Sequence, residues 1–243
     1  MKDESIKRRN FLKGAIAGGA VAATTAVGMT AGDAQAQQAQ QAQQKPAAAP
    51  AHPGYSYLNP EEAAFVEAVV DHMIPADALT PKGTDLGINI YIDRALAGGW
   101  GKGDRMYMQG PWQQGHPNQG YQLPLSPAEL YRAGIEQCNA HCRKAHGKTF
   151  DRLDATQKQD MLVALRDGKV SFTNGLPART FFGTLYQNVM EGMFADPIYG
   201  GNRNKAGWRM IGFPGVVATH QLNVVNFRGK KFVVEPKSIA DMS

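Results

Sequence analysis

The sequence predicts a mainly α-helical domain, and two features of the chain predict it. Three segments open with a capping side chain followed three residues later by Glu or Gln: Asn59-Pro60-Glu61-Glu62, Ser126-Pro127-Ala128-Glu129 and Asp154-Ala155-Thr156-Gln157. In such a box the two side chains satisfy each other's backbone N–H groups. Proline at the first helical position, as in the first two, loses nothing, because that N–H has no intrahelical acceptor. Behind these starts, large apolar residues recur at helical spacing, which is the second feature.

Taken in order, the first helix starts at Pro60, carries Phe65, Val66, Val69, Val70 and Met73 on one face, and stops at Pro75. A second covers residues 88–97 and ends at Gly98-Gly99. The third runs from 127 towards 146 and Gly147, and the fourth from 155 to about 167. The fifth, 177 to about 194, has two adjacent stripes, Phe181, Leu185, Val189, Met193 and Phe182, Tyr186, Met190. So wide an apolar face marks it as the central helix. At the C-terminus, Val224-Val225-Asn226-Phe227 and Phe232-Val233-Val234 flank Arg228-Gly229-Lys230, the pattern of a short β-hairpin. The expectation is a single domain of about five helices over residues 55–243.

One stretch breaks the pattern. From Gly98 to Leu125 the chain is rich in Gly, Gln and Pro and has no period of either kind. Loops this long in a compact domain usually carry function or lack fixed structure. It also holds Trp100, Tyr107, Trp112 and Tyr121. Two readings stand side by side: an arm whose aromatics order against another protein, or one that folds back and buries those rings on its own helices.

The N-terminus carries an address. Lys7-Arg8-Arg9-Asn10-Phe11-Leu12-Lys13 has the twin-arginine pattern, and an uncharged Ala/Gly/Val/Thr stretch follows, too short and too weakly apolar for a membrane helix. Ala34-Gln35-Ala36 supplies the small-x-small step that a signal peptidase cleaves. Arg8, Arg9, Phe11 and Leu12 are the export residues, and Ala34 and Ala36 the cleavage residues. Such signals send cargo to the periplasm already folded. Residues 37–54 are Gln, Ala and Pro with hardly a charge or large apolar side chain, the composition of a disordered linker.

The leader (residues 1–36) holds five of the 26 basic residues and three of the 21 acidic ones, so the remainder is close to neutral at +3. No basic stripe suited to nucleic acid is left, which excludes that class of partner. Motifs for dinucleotides, phosphate loops, serine hydrolases and zinc proteases are absent, as is the C-x-x-C-H of covalent haem attachment. His72 beside Asp71 offers a general base, with a surface histidine as the plainer reading. Cys138 and Cys142 are the only cysteines, four apart on the third helix. Three readings remain open for them. They are packed free thiols, or a disulfide, for which the helix must bend because a rise of about 6 Å exceeds the roughly 4.5 Å between bonded Cβ atoms. Or they join His141 and His146 on one helical face as part of a metal site, which makes the chain an independent redox or metal-binding protein.

The last landmark is Phe194-Ala195-Asp196-Pro197-Ile198-Tyr199-Gly200-Gly201-Asn202, continuing to Gly207-Trp208 and Ile211-Gly212-Phe213-Pro214-Gly215. Asp-Pro ends the fifth helix and the glycines allow a tight reversal, leaving either a cap over the core or a rigid ledge that docks a partner. This block resembles the small subunit of gluconate 2-dehydrogenase, the subunit 3 family. Ile74-Pro75-Ala76-Asp77, Thr80-Pro81 and Tyr91-Ile92-Asp93 resemble its N-terminal half, so the likeness spans most of residues 58–216. It implies a chain with no catalytic residue, cofactor or metal of its own. In such a complex an FAD-containing large subunit oxidises a sugar acid, sugar or polyol, and a c-type cytochrome subunit anchors the assembly and passes electrons to ubiquinone. The small subunit serves maturation and brings the signal for the twin-arginine translocase, touching the membrane only through the complex. The docking residues expected on this reading are Trp100, Trp112, Asp196, Tyr199, Trp208 and Phe213.

Overall fold

The computed structural model describes residues 54–242 except 114, 117, 118, 120 and 121. The export residues Arg8, Arg9, Phe11 and Leu12, the cleavage residues Ala34 and Ala36, and Tyr121 therefore lie outside the described residues.

Seven α-helices form among them: α1 (Pro60–Met73), α2 (Ile88–Ala97), α3 (Pro127–His146), α4 (Ala155–Arg166), α5 (Ala178–Phe194), α6 (Ala206–Ile211) and α7 (Gln221–Asn226). All three capping boxes close. Asn59 Oδ1 accepts the Glu62 N–H at 2.9 Å and Asp154 Oδ1 accepts that of Gln157 at 2.9 Å, while Ser126 and Glu129 cap each other at the start of α3. Gly147, in the left-handed region at φ 70°, ends α3.

The core is built around Phe181 of α5. Its ring lies 6.3 Å from that of Phe65 on α1, 6.0 Å from Tyr131 on α3 and 6.4 Å from Phe172. Gly134 on α3 makes this close approach possible, since a Cβ there would sit 2.2 Å from the Phe181 ring. Phe181, Leu185, Val189 and Met193 are buried, and α5 packs on α2, α3, α4 and α6, which makes it the central helix. Only one of its two stripes is fully buried. Phe182 packs partly against the core and stacks on Tyr186, which is exposed.

A polar chain crosses this core. The Tyr131 hydroxyl donates to Asn188 Oδ1 (2.7 Å), Asn188 donates to Glu191 Oε2 (3.0 Å), and the Tyr91 hydroxyl donates to the same oxygen (3.1 Å). It ties α2, α3 and α5 together through groups that leave no buried partner wanting.

The C-terminal hairpin does not form. Residues 221–226 are helical instead, with Val224 N–H donating to the His220 carbonyl and Phe227 N–H to that of Asn223. A lone two-stranded ribbon is marginal in water, and among the described residues no sheet exists for it to join, so local helical bonds prevail. The pairing present here is one parallel bridge, Gly215 with Lys237.

Candidate functional site

The residues of the 194–215 block form a knot of backbone packed on backbone. Gly200 adopts φ 106° and seats its carbonyl against the start of α2, where a Cβ on Gly87 would come within 2.3 Å of it. Gly201 passes so close to α5 that a Cβ would lie 2.1 Å from the Gly192 carbonyl. Asn202, fully buried and left-handed at φ 46°, spans the turn: its amide donates to the Ala195 carbonyl (2.9 Å) and its oxygen accepts from Gly207 N–H (2.9 Å). The Arg203 N–H donates to the Leu86 carbonyl at 3.0 Å.

Two expected docking residues prove to be parts of this knot. The Trp208 ring is only 4% exposed and its Nε1–H donates to the Phe194 carbonyl at 2.7 Å. It is therefore packed inside the knot rather than presented on its surface. Buried indole must find an acceptor, and the frayed end of α5 supplies one. Asp196 accepts the Ile198 N–H on one oxygen (3.0 Å) and the Ile239 N–H on the other (2.8 Å), so its carboxylate is engaged in holding the turn.

What the knot does present is apolar. Ile198 (49% exposed) and Tyr199 (56%) stand out from the turn, and Phe213, edge-on to Trp208 at 5.2 Å between centroids, is exposed as well. Tyr91, Arg94 and Ala95 from α2 face Ala195, Asp196, Ile198 and Tyr199 across a groove of about 430 Å³. Burial, with Glu191 beside it, pushes the Tyr91 hydroxyl up to about 12, so it stays a neutral donor. The groove thus offers apolar walls, one guanidinium and two phenols, without a nucleophile paired to a base.

The loop after α2 is half anchored. Gly101 is clamped between α2 and α3: its N–H donates to the Ala95 carbonyl (3.1 Å) and its carbonyl accepts from Ala128 N–H (2.9 Å). Its described aromatics are not buried on the chain's own helices. Trp100, Tyr107 and Trp112 are all exposed, and Trp112 lines a separate hollow of about 390 Å³ with Met106, Tyr107 and Pro111.

The cysteines face the other way from the histidines. Cys138 and Cys142 are free thiols wholly within the core, and burial raises both, Cys142 to about 11. His141 and His146 are exposed. The four do not converge, and among the described residues no group of His, Cys, Asp or Glu is placed to hold a metal. Nor do Asp71 and His72 pair: Asp71 accepts from Thr84 and Lys82, while His72 meets Gln159 at 2.9 Å.

One anchor escaped the reading of motifs. Asp93, 2% exposed, accepts the N–H groups of Ser56 (2.7 Å), Tyr57 (2.9 Å) and Leu58 (3.0 Å), fixing where the chain enters the domain. A carboxylate beside Ile92 inside an apolar helical stripe is the signal that could have revealed it.

Residues 60–215 match the family model described as gluconate 2-dehydrogenase subunit 3. The chain belongs to that family. Residues 5–31 match the twin-arginine translocation pathway signal sequence. This subunit 3 chain is therefore a subunit of a dehydrogenase complex, and its signal directs export across the cytoplasmic membrane to the periplasm. The family's span takes in the Asp93 anchor and the glycine knot. No curated protein and no solved structure matches the chain significantly.

Proposed function

We propose that the chain is the non-catalytic small subunit of a periplasm-facing, FAD-dependent dehydrogenase of the gluconate 2-dehydrogenase type. It binds the flavin subunit, supports its maturation and escorts it, folded, through the twin-arginine translocase. FAD resides in the large subunit and haem c in a cytochrome subunit that passes electrons to ubiquinone and tethers the assembly to the inner membrane. The substrate is a sugar acid, sugar or polyol chosen by the large subunit.

The observation that carries this reading is the joining of a twin-arginine signal to a subunit 3 domain in one chain. A flavin inserted in the cytoplasm requires export of a folded protein, and one signal serves a tightly bound pair. The glycine knot supports it further: Ile198 and Tyr199 stand beside the closely packed Gly200-Gly201 backbone, the preorganised surface that docking favours.

Changing Arg8 and Arg9 together to Lys tests the escort. Both subunits are expected to accumulate in the cytoplasm, read by fractionation and dye-linked dehydrogenase activity. Normal periplasmic activity in that strain would defeat the proposal.

A further inference from the structure

Residues 216–243 lie beyond the 60–215 stretch that matches the family, yet both ends of this tail are fastened to the domain. Lys237 donates its N–H to the Pro214 carbonyl (3.1 Å) and accepts that of Val216 (2.7 Å). Gly215 allows this closure with φ 80°, and a Cβ there would fall 2.0 Å from the Lys237 carbonyl. Farther on, Ile239 donates to Asp196, Lys205 pairs with Asp241 at 2.8 Å, and Arg209 pairs with Glu235.

Between these staples, residues 217–234 are held out from the domain. Helix α7 leads into a reversal at Gly229 (φ 71°), and the return is set by Phe227 and Phe232, edge to face at 4.8 Å. Leu222, Val224, Val225 and Val233 are each at least 69% exposed. Arg228, Lys230 and Lys231 crowd the reversal, and none forms an ion pair with a described residue. From Asp196 to Glu235 the chain has no acidic residue between.

An apolar surface presented this way is unfavourable in water unless something covers it. The cover must accept aliphatic side chains and bring dense negative charge. Three cations without an acidic partner, beside aliphatic side chains on one short reversal, favour an anionic lipid surface over a protein. An anionic bilayer meets both needs, with aliphatic groups entering the boundary between headgroup and acyl chain while cations take the phosphates. Among the described residues no helix is long and apolar enough to cross a membrane, so the contact is interfacial.

We infer that residues 217–234 form a binding loop for anionic phospholipid, in which Leu222, Val224, Val225 and Val233 insert and Arg228, Lys230 and Lys231 hold headgroup phosphates. It gives this chain a reversible membrane contact of its own. The inference rests on the tail alone and is independent of whether the groove near Tyr199 docks a flavin subunit.

Vesicle flotation tests it, using the chain recovered from the periplasm so that the apolar leader does not contribute. Binding is expected to phosphatidylcholine vesicles containing phosphatidylglycerol and not to phosphatidylcholine alone, and to weaken with salt. The variant R228Q/K230Q/K231Q should bind on the order of a hundredfold more weakly, and L222S/V225S should also lose binding, both with unchanged thermal midpoints. Equal partition to both vesicle types, binding to neither, or a charge variant that binds like wild type overturns the inference. So does a charge variant that sheds a co-purifying protein while keeping its lipid affinity, which makes the loop a protein dock. If the variants misfold, the salt and lipid dependence of the wild-type chain decides by itself.

Discussion

Gly201 and Gly183 show how differently one residue type is used. A methyl at Gly201 would collide with the Gly192 carbonyl, a backbone atom that cannot step aside, whereas Gly183 sits on an open face of α5 with nothing within 4 Å. Gly201→Ala should therefore cost about 1–3 kcal/mol, while Gly183→Ala should be stabilising by about 0.5–1 kcal/mol, because alanine loses less entropy in a helix. Urea midpoints of the two variants read the contrast directly. The thiols give a second test at this scale. Cys138 and Cys142 are shut in the core and held protonated, so a thiol reagent should leave the native chain unlabelled and modify both residues after unfolding. Failure to label the unfolded chain without a reductant would mean that they are bonded.

At the scale of elements, stability comes in two layers. Helices α1 to α5 share the Phe181 core, whereas the tail is held by polar staples that pH can reach. Asp241 is held well below the usual carboxylate range by hydrogen bonding from Lys205, with Ser238 contributing further. Its folded pKa is thus depressed, so the ionised form stabilises the attached tail. That contribution is whole above the ordinary aspartate value of about 3.9 and is lost as pH falls through the folded value. Amide exchange protection at Ser238, Ile239 and Asp241 is expected to fall on acidification below about pH 4, ahead of protection in α5. Simultaneous loss in both layers would show that the tail is not a separate unit.

For the molecule as a whole, the question is which exposed surface meets the partner. The groove near Tyr199 combines a rigid floor with exposed Ile198 and Tyr199. Replacing both by Ala should leave stability within about 0.5 kcal/mol, as at surface sites outside special features. It should weaken capture of the large subunit at least about tenfold, as at an interface hot spot. Size-exclusion co-elution measures the second and thermal unfolding the first. Full retention would shift attention to Trp100 and Trp112 on the loop after α2.

Much of this was legible in the residues themselves. Capping is a local contest between one side chain and the backbone three residues on, so Asn59, Ser126 and Asp154 announce their helices wherever they fold. The twin-arginine run is an address read as a linear string, and the glycine block carries its family likeness the same way. Burial is a different kind of property. Whether Trp208 faces a partner or the Phe194 carbonyl, whether Asp196 is free or spent on Ile239, and whether both stripes of α5 are covered depend on residues distant in the chain. The same holds for Val224 and Val225, whose branched side chains suit a strand but which fall in α7 for want of a sheet to join. Sequence by itself determined the five longer helices α1 to α5, the export route and the family, because each is encoded in neighbouring residues. Only the tertiary structure decided which aromatic side chains form the surface and which the core, because that choice is made by packing between elements.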